Sequence, residues 1–243
     1  MVVAAMEVAT ETEVPMQDQA AAPAAQRVAL VAGATGLVGQ AVLAALLADK
    51  RYGTVHCLGR RALTVKHSKL LNRVVDFSAP LTLTDIPRID DVFIALGTTI
   101  KLAGSQQAFR AVDFDAVVAV AQAAKVRGAI KLGVISAMGA NAKSSVFYNR
   151  VKGEMEDALK RLSYQTLIIA RPSMLTGDRK ALAQPERPAE RYVSLTMAWL
   201  KPLIPANYRA ITAVQVAHAL LAALQSTDRG TRVLLSGELQ LVR

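Results

Sequence analysis

Two hydrophobic periods alternate along the chain. Short aliphatic runs closed by glycine, aspartate, arginine or serine recur at 28–32, 54–58, 73–75, 91–96, 130–135, 166–170 and 232–235. Runs of this length, bounded by turn formers, predict strands. Between them, apolar residues recur at helical spacing. A helical pattern begins directly after the first run, and others cover about 106–127, 145–162, 192–200 and 212–224. In the segment from 106, Phe109, Val112, Ala116, Val120 and Ala123 fall near one face, and Arg127-Gly128 supplies the stop. Strands alternating with helices predict an α/β fold, a Rossmann-like doubly wound parallel sheet with a small C-terminal substrate-facing region over 173–211. The polar stretch 178–191, with Pro185 and Pro188, predicts a mobile loop.

In such a sheet the ligand crevice lies beyond the carboxyl ends of the strands. Gly33, Arg60, Asp76, Gly97, Ser136 and Pro172 each close a predicted strand and should share one edge of the molecule. The first of these turns is the most informative. Gly33, Gly36 and Gly39 stand in G-x-x-G-x-x-G spacing between a strand and a helix, the arrangement that cradles a dinucleotide pyrophosphate on a helix N-terminus. Gly33 suits the sharp turn, Gly36 the approach of backbone to phosphate, and Gly39 close packing of helix on sheet.

Composition narrows the class. With 243 residues, 52% hydrophobic and 5% aromatic, the chain has length for one α/β domain with an aliphatic core. Residues 1–26 contain Glu7, Glu11, Glu13 and Asp18 but no lysine or arginine. This segment resembles neither a secretory signal nor a transit peptide and is expected to be a disordered tail. The domain is expected over 27–243. The formal net charge of +10 is spread along the chain, with no arginine-rich helix or zinc-ligand spacing, which argues against a nucleic-acid partner. A positive cleft for a phosphorylated cofactor accounts for it more simply. The uncharged stretch 28–48 is explained by the strand, turn and helix, so no membrane segment is expected. The single cysteine, Cys57, excludes an intramolecular disulfide and fits a reducing compartment; the expected location is cytoplasmic.

Chemistry concentrates in two places. NAD-selective folds usually carry an acid after the second strand; here Arg60 and Arg61 stand there, suited to the 2′-phosphate of NADP. They also fit a solvated surface pair. Asp76 reads either as a partner for the adenine amino group or as a turn cap. Tyr148 and Lys152, at i and i+4, share a helix face, and an ammonium beside a phenol favours tyrosinate. Tyr148 could then donate a proton to a carbonyl while hydride arrives from a nicotinamide, with Ser136 anchoring the same oxygen. His56, His67 and His218 lack metal-ligand spacing; His56 and His218 are expected to be packed or satisfied, and no metal site is expected.

Taken together, the glycine turn, the post-strand serine and the Y-x-x-x-K helix resemble the short-chain dehydrogenase/reductase superfamily. A closer likeness is to its atypical branch, the Tat-interacting-protein-like oxidoreductases, often labelled nucleoside-diphosphate-sugar epimerase-like. The segments Leu58-Gly59-Arg60-Arg61, Val75-Asp76-Phe77, Leu96-Gly97-Thr98-Thr99, Arg110-Ala111-Val112-Asp113 and Tyr148 to Glu154 carry it, and it runs from about residue 27 to 236. The resemblance implies NADP(H) binding by Gly33, Thr35, Gly36, Leu37, Val38 and Gly39 at the pyrophosphate. It implies Arg60 and Arg61 at the 2′-phosphate and Leu96, Gly97 and Thr98 near the ribose; Asp76 and Phe77, in a segment that matches the branch, are also expected to bind the cofactor. Ser136, Tyr148 and Lys152 would be the catalytic set, with Lys152 also holding the ribose and Arg171, Pro172 and Ser173 passing the nicotinamide.

Three departures qualify it. Asp113 stands where the superfamily often has an asparagine, Val151 replaces the serine of Y-x-x-S-K, and only roughly 70 residues follow Pro172, too few for an epimerase's C-terminal domain. The expected activity is therefore hydride transfer to or from a small carbonyl, quinone or enone, not sugar epimerisation. A catalytically weak NADP(H)-binding regulator acting through a protein partner is the alternative. The helices near 106 and 145 pair across dimers in many relatives, so a homodimer is also expected.

Overall fold

A computed structural model describes residues 26–176 and 205–241. The first strand, β1 (Arg27–Ala32), leads through the glycine turn into α1 (Leu37–Ala48), followed by β2 (Tyr52–Gly59), β3 (Leu70–Val74) and β4 (Asp91–Ile94). A short α2 (Ile100–Ala103) precedes α3 (Gln106–Arg110), which passes through a π-helical segment (Ala111–Ala116) into α4 (Val117–Val126). Then come β5 (Lys131–Ile135), α5 (Phe147–Arg161), β6 (Thr166–Arg171), β7 (Leu175–Thr176), β8 (Ile211–Thr212), α6 (Ala213–Gln225), β9 (Gly230–Leu235) and α7 (Ser236–Leu239). Seven strands form one sheet in the order β3-β2-β1-β4-β5-β6-β9, every pair parallel. The order reverses between β1 and β4, opening a crevice beyond their carboxyl ends.

The strand runs are apolar throughout because both faces are covered. Ala29 and Val31 of β1 point into a core layer with Val38, Val42 and Leu46 of α1 and Val216 and Leu220 of α6. Leu30 and Ala32 point the other way, onto Val117, Val120 and Ala124 of α4 and Met155 and Leu159 of α5. Polar groups are paired at the strands' amino ends. Asp91, 2% exposed, accepts from Arg27 Nε at 2.7 Å, Arg27 Nη2 at 2.6 Å and the Tyr52 hydroxyl at 2.7 Å.

The structure departs from the sequence expectation in several places. The helix expected over 106–127 is broken by the π-helical segment, whose wider turn rotates the following residues. Val112 and Ala123 are thereby only half-buried, Val117 and Ala121 join the core, and Asp113 turns fully inward. The expected stop holds, with Gly128 in the left-handed region at φ +89. The fourth strand ends at Ile94, not at Leu96, because residues 96–98 leave the sheet to meet Asp113. The third strand starts earlier, at Leu70. His218 is exposed on α6 and is not packed as expected, since that helix buries Ala217, Ala219 and Leu220 around it. The expected loop 178–191 and helix 192–200, and residues 1–25 of the expected tail, lie outside the described residues. Among the described residues no helix is long and apolar enough to cross a membrane.

Candidate active site

The glycine turn is built by steric necessity at two positions. Gly33 sits at φ +92, and a Cβ there would lie 2.5 Å from the Ala95 carbonyl carbon. At Gly39 a Cβ would come within 2.0 Å of the Gly33 carbonyl oxygen, so this residue sets how closely α1 packs on the turn. Gly36 differs: the nearest atom to a Cβ is 3.5 Å away, leaving its outer side open. It caps α1 without a side chain, and no acid stands in the first helical turn. The helix end thus presents positive partial charge and open backbone, which suits an anion.

Beside this turn is a cleft of about 260 Å³. Its floor and walls come from Gly36, Leu37 and Val38, from Leu96, Gly97 and Thr98, and from Ser136, Tyr148, Lys152 and Pro172. Five separate chain segments therefore meet in one cleft. Gly33 and Gly39 shape the turn itself and Thr35 is exposed on it; none of the three lines the cleft. Arg60, Arg61, Asp76 and Phe77 follow the ends of β2 and β3, on the same sheet edge but outside the cleft. Arg60 and Arg61 are exposed, and neither has an ion-pair partner among the described residues. Asp76 is exposed and accepts from the Ser78 backbone at 2.9 Å and its hydroxyl at 2.7 Å, bonds that hold its carboxyl below the usual range. It caps a turn, whatever else it contacts.

Two charged side chains of α5 point inward. Lys152 and Glu156 follow Tyr148 at helical spacing of four, so all three lie along one stripe. Lys152 Nζ lies 2.8 Å from Asp113 Oδ1, with the side chains 4% and 1% exposed. Asp113 Oδ1 makes no aligned hydrogen bond, so this contact is an ion pair, while Oδ2 accepts from Thr98 N at 2.8 Å. Asp113 thereby joins the π-helical segment, the 96–98 loop and α5. The Tyr148 ring packs against Phe109 with centroids 5.5 Å apart, which fixes the phenol at the cleft wall.

Glu156 completes a second buried pair. It receives Arg171 Nε at 2.9 Å on Oε1 and Arg171 Nη2 at 2.5 Å on Oε2, a bidentate fork, and Ser136 Oγ at 2.5 Å on Oε1. The carboxylate raises the Arg171 guanidinium further above its ordinary range. Arg171 thus turns to Glu156 and is not among the cleft-lining residues. Sequence reasoning passed over Glu156, although its spacing of four from Lys152 was visible. The loop between Ser136 and α5 is held by Asn141 N donating to Asn149 O at 3.0 Å. Gly153 makes that contact feasible: a Cβ there would sit 2.1 Å from Ala142 N.

Groups away from the cleft are inert by environment. His56 is buried, accepts from Arg73 Nε at 3.1 Å, and is driven down to about 4 by burial and by that guanidinium. Burial pushes the Cys57 thiol up to about 12, far from a reactive thiolate.

No family model matches the chain. Protein HTATIP2 of Rattus norvegicus is 32% identical over 213 residues, covering 86% of this chain and 85% of that protein. The chain belongs to this family. It is the Tat-interacting-protein-like branch of the atypical short-chain dehydrogenase/reductases that the motifs resembled. The mitochondrial protein FMP52 of Eremothecium gossypii is 35% identical over 153 residues, 63% of this chain and 68% of that one. Among solved structures, the Bordetella bronchiseptica enzyme WbmG in complex with NAD matches with TM-score 0.64 at 14% identity, covering 88% of this chain and 74% of that one. That likeness shows a shared Rossmann fold. The expected cytoplasmic location is corrected by the fungal relatives, which are named as mitochondrial proteins. A lone cysteine does not separate one compartment from another.

Proposed function

We propose that this protein is an NADP(H)-dependent oxidoreductase that moves hydride between the nicotinamide and a small carbonyl, quinone or enone. The observation that carries the proposal is the convergence of Ser136, Tyr148 and Lys152 with the Gly36–Val38 turn in one cleft at the sheet crossover. The residues fit a dinucleotide. The uncapped, acid-free start of α1 suits the pyrophosphate, Leu96, Gly97 and Thr98 of the cleft wall would hold the ribose, and exposed Arg60 and Arg61 suit a 2′-phosphate. When bound, the cofactor supplies or accepts the hydride. Tyr148 would supply the proton to the carbonyl oxygen, with Lys152, held in place by Asp113, four residues further along the same helix face. The names of the fungal relatives support a mitochondrial location.

The test is NADPH consumption against a panel of quinones, aldehydes, ketones and enones, with Tyr148→Phe run in parallel. Turnover should be lost in the Phe protein while NADPH affinity stays within about threefold, the loss of one hydrogen bond at most. A Phe protein as active as wild type would refute the role of Tyr148. A second reading is a catalytically weak NADP(H)-binding protein that acts through a protein partner. It is favoured by the Asp113 carboxylate, which offsets the Lys152 charge that would activate Tyr148. Wild-type protein that binds NADPH and turns over nothing on the panel would favour this reading.

A further inference from the structure

We propose that Ser236, at the start of α7, is a positioning residue for the cleft wall formed by Ser173, Met174 and Leu175. Ser236 is 1% exposed and stands outside the set of residues that line the cleft, whereas the other three belong to it. The Ser236 oxygen accepts the Ser173 N–H at 2.6 Å, and its hydroxyl donates to Ser173 Oγ at 2.9 Å. Ser173 Oγ in turn donates to the Arg209 carbonyl oxygen at 2.5 Å. A carbonyl can only accept and an N–H can only donate, so both ends of this chain of bonds fix its direction. Ser236 thereby holds Ser173 by backbone and side chain at once, across 63 residues of sequence.

The wall continues from this anchor. Met174 O accepts from Ile211 N at 3.0 Å, and β7 pairs with β8 through Leu175 with Ile211 and Thr176 with Thr212. A pair of strands this short is marginal without support from a larger unit. Ser236 supplies that support, because it directly follows β9, the edge strand of the seven-stranded sheet. Two further bonds, Gly237 N to Asn207 Oδ1 at 3.0 Å and Gln240 Nε2 to Ala206 O at 3.2 Å, fasten α7 to the residues before β8. Of the α7 bonds, those of Ser236 are the ones that reach a cleft residue.

The remainder of the cleft is built elsewhere. Gly36, Leu37 and Val38 form the start of α1, and Tyr148 and Lys152 belong to α5. Ser236 therefore acts on one side of the cleft. The region from 173 is the one expected to face the substrate, so Ser236 should govern substrate binding and spare the dinucleotide. This deepens the oxidoreductase reading and rests on it for calling that wall the substrate side. The chain of bonds stands apart from it.

Two variants separate positioning from general packing. Ser236→Ala removes the hydroxyl and little volume. Leu239→Ala removes a fully buried side chain from the same helix and leaves the bonds to Ser173 in place. In Ser236→Ala the KM for phenanthrenequinone, measured with NADPH, should rise about tenfold, while kcat and NADPH affinity stay within about threefold. Binding that is shared by ground and transition states is lost in KM and not in kcat. Leu239→Ala should lower the urea midpoint at least as far, yet keep that KM within about twofold of wild type. An unchanged KM in Ser236→Ala, or an equal rise in Leu239→Ala, would overturn the proposal.

Hydrogen exchange of cofactor-free protein gives a readout that needs no substrate. In Ser236→Ala the Ser173 and Ile211 amides should exchange at least about tenfold faster than in wild type. Their acceleration should exceed that of the Val134 amide in the buried centre of the sheet, which tracks global unfolding. Equal acceleration at Ser173 and Val134, or none at Ser173, would overturn the proposal even with NADPH turnover established. Wild-type protein that binds no NADPH would instead sink the oxidoreductase reading alone, and the exchange rates would still decide the role of Ser236.

Discussion

Asp113 and Lys152 face one another inside the cleft wall, carboxylate oxygen to ammonium at 2.8 Å, both almost wholly withdrawn from solvent. Neither charge would be stable there alone. The pair ties the π-helical segment to α5, and the Thr98 backbone bond extends the tie to the loop after β4. Where the superfamily often carries an asparagine, this chain has placed a counter-charge for its lysine.

Removing that counter-charge should therefore cost stability as well as function. Asp113→Ala leaves a buried ammonium and an unbonded Thr98 N–H, and is expected to lower unfolding free energy by about 3–5 kcal/mol. Adding Lys152→Met should recover a large part of this loss. Urea denaturation of both proteins reads the difference; a double variant no more stable than Asp113→Ala would show that the pair is not the source.

The two exposed arginines after β2 should act on one cofactor and not the other. Arg60→Ala and Arg61→Ala are each expected to weaken NADPH by roughly tenfold while NADH affinity changes little, since only NADPH carries the 2′-phosphate. Fluorescence titration with both nucleotides decides it. Parallel losses for the two would remove the phosphate role.

Gly153 is a packing constraint that reports on the site indirectly. Gly153→Ala would drive a methyl into the Ala142 backbone, which neither α5 nor the loop can avoid without moving. We expect a loss of about 3 kcal/mol in stability and displacement of the Ser136 to Asn149 loop. Hydrogen exchange at Asn141, whose N–H bonds to Asn149, should accelerate first. Unchanged exchange and stability would mean that the loop is free to shift.

His56 gives the stability a pH dependence of defined sign. Its folded value of about 4 lies below its ordinary 6.5, so between these values the unfolded chain takes up a proton that the folded chain refuses. Stability is then unaffected by His56 above about 6.5 and falls as pH drops towards 4, by about 1–3 kcal/mol over the window. Urea midpoints for wild type and His56→Gln, measured across that range, should diverge in slope. Equal slopes would place the acid sensitivity elsewhere.

Local patterning in the chain determined the elements and singled out several residues that the fold brings to one cleft. Aliphatic runs with turn formers at their ends marked the strands, and the glycine spacing marked the turn, because steric demands at Gly33 and Gly39 admit no side chain. The i and i+4 spacing put Tyr148 and Lys152 on one helix face without reference to any other segment. What lies opposite a helix face is another matter, since it depends on segments far away in sequence. The inward turn of Asp113 needed the π-helical segment and the Thr98 N–H, and the burial of Glu156 needed Arg171 from β6. On a helical pattern Glu156 reads as an ordinary polar position, and Asp113 stood out only against the asparagine of the resembled superfamily. Only the tertiary structure, by bringing a cation to each, made their burial favourable, because a charge leaves water only where a partner awaits it.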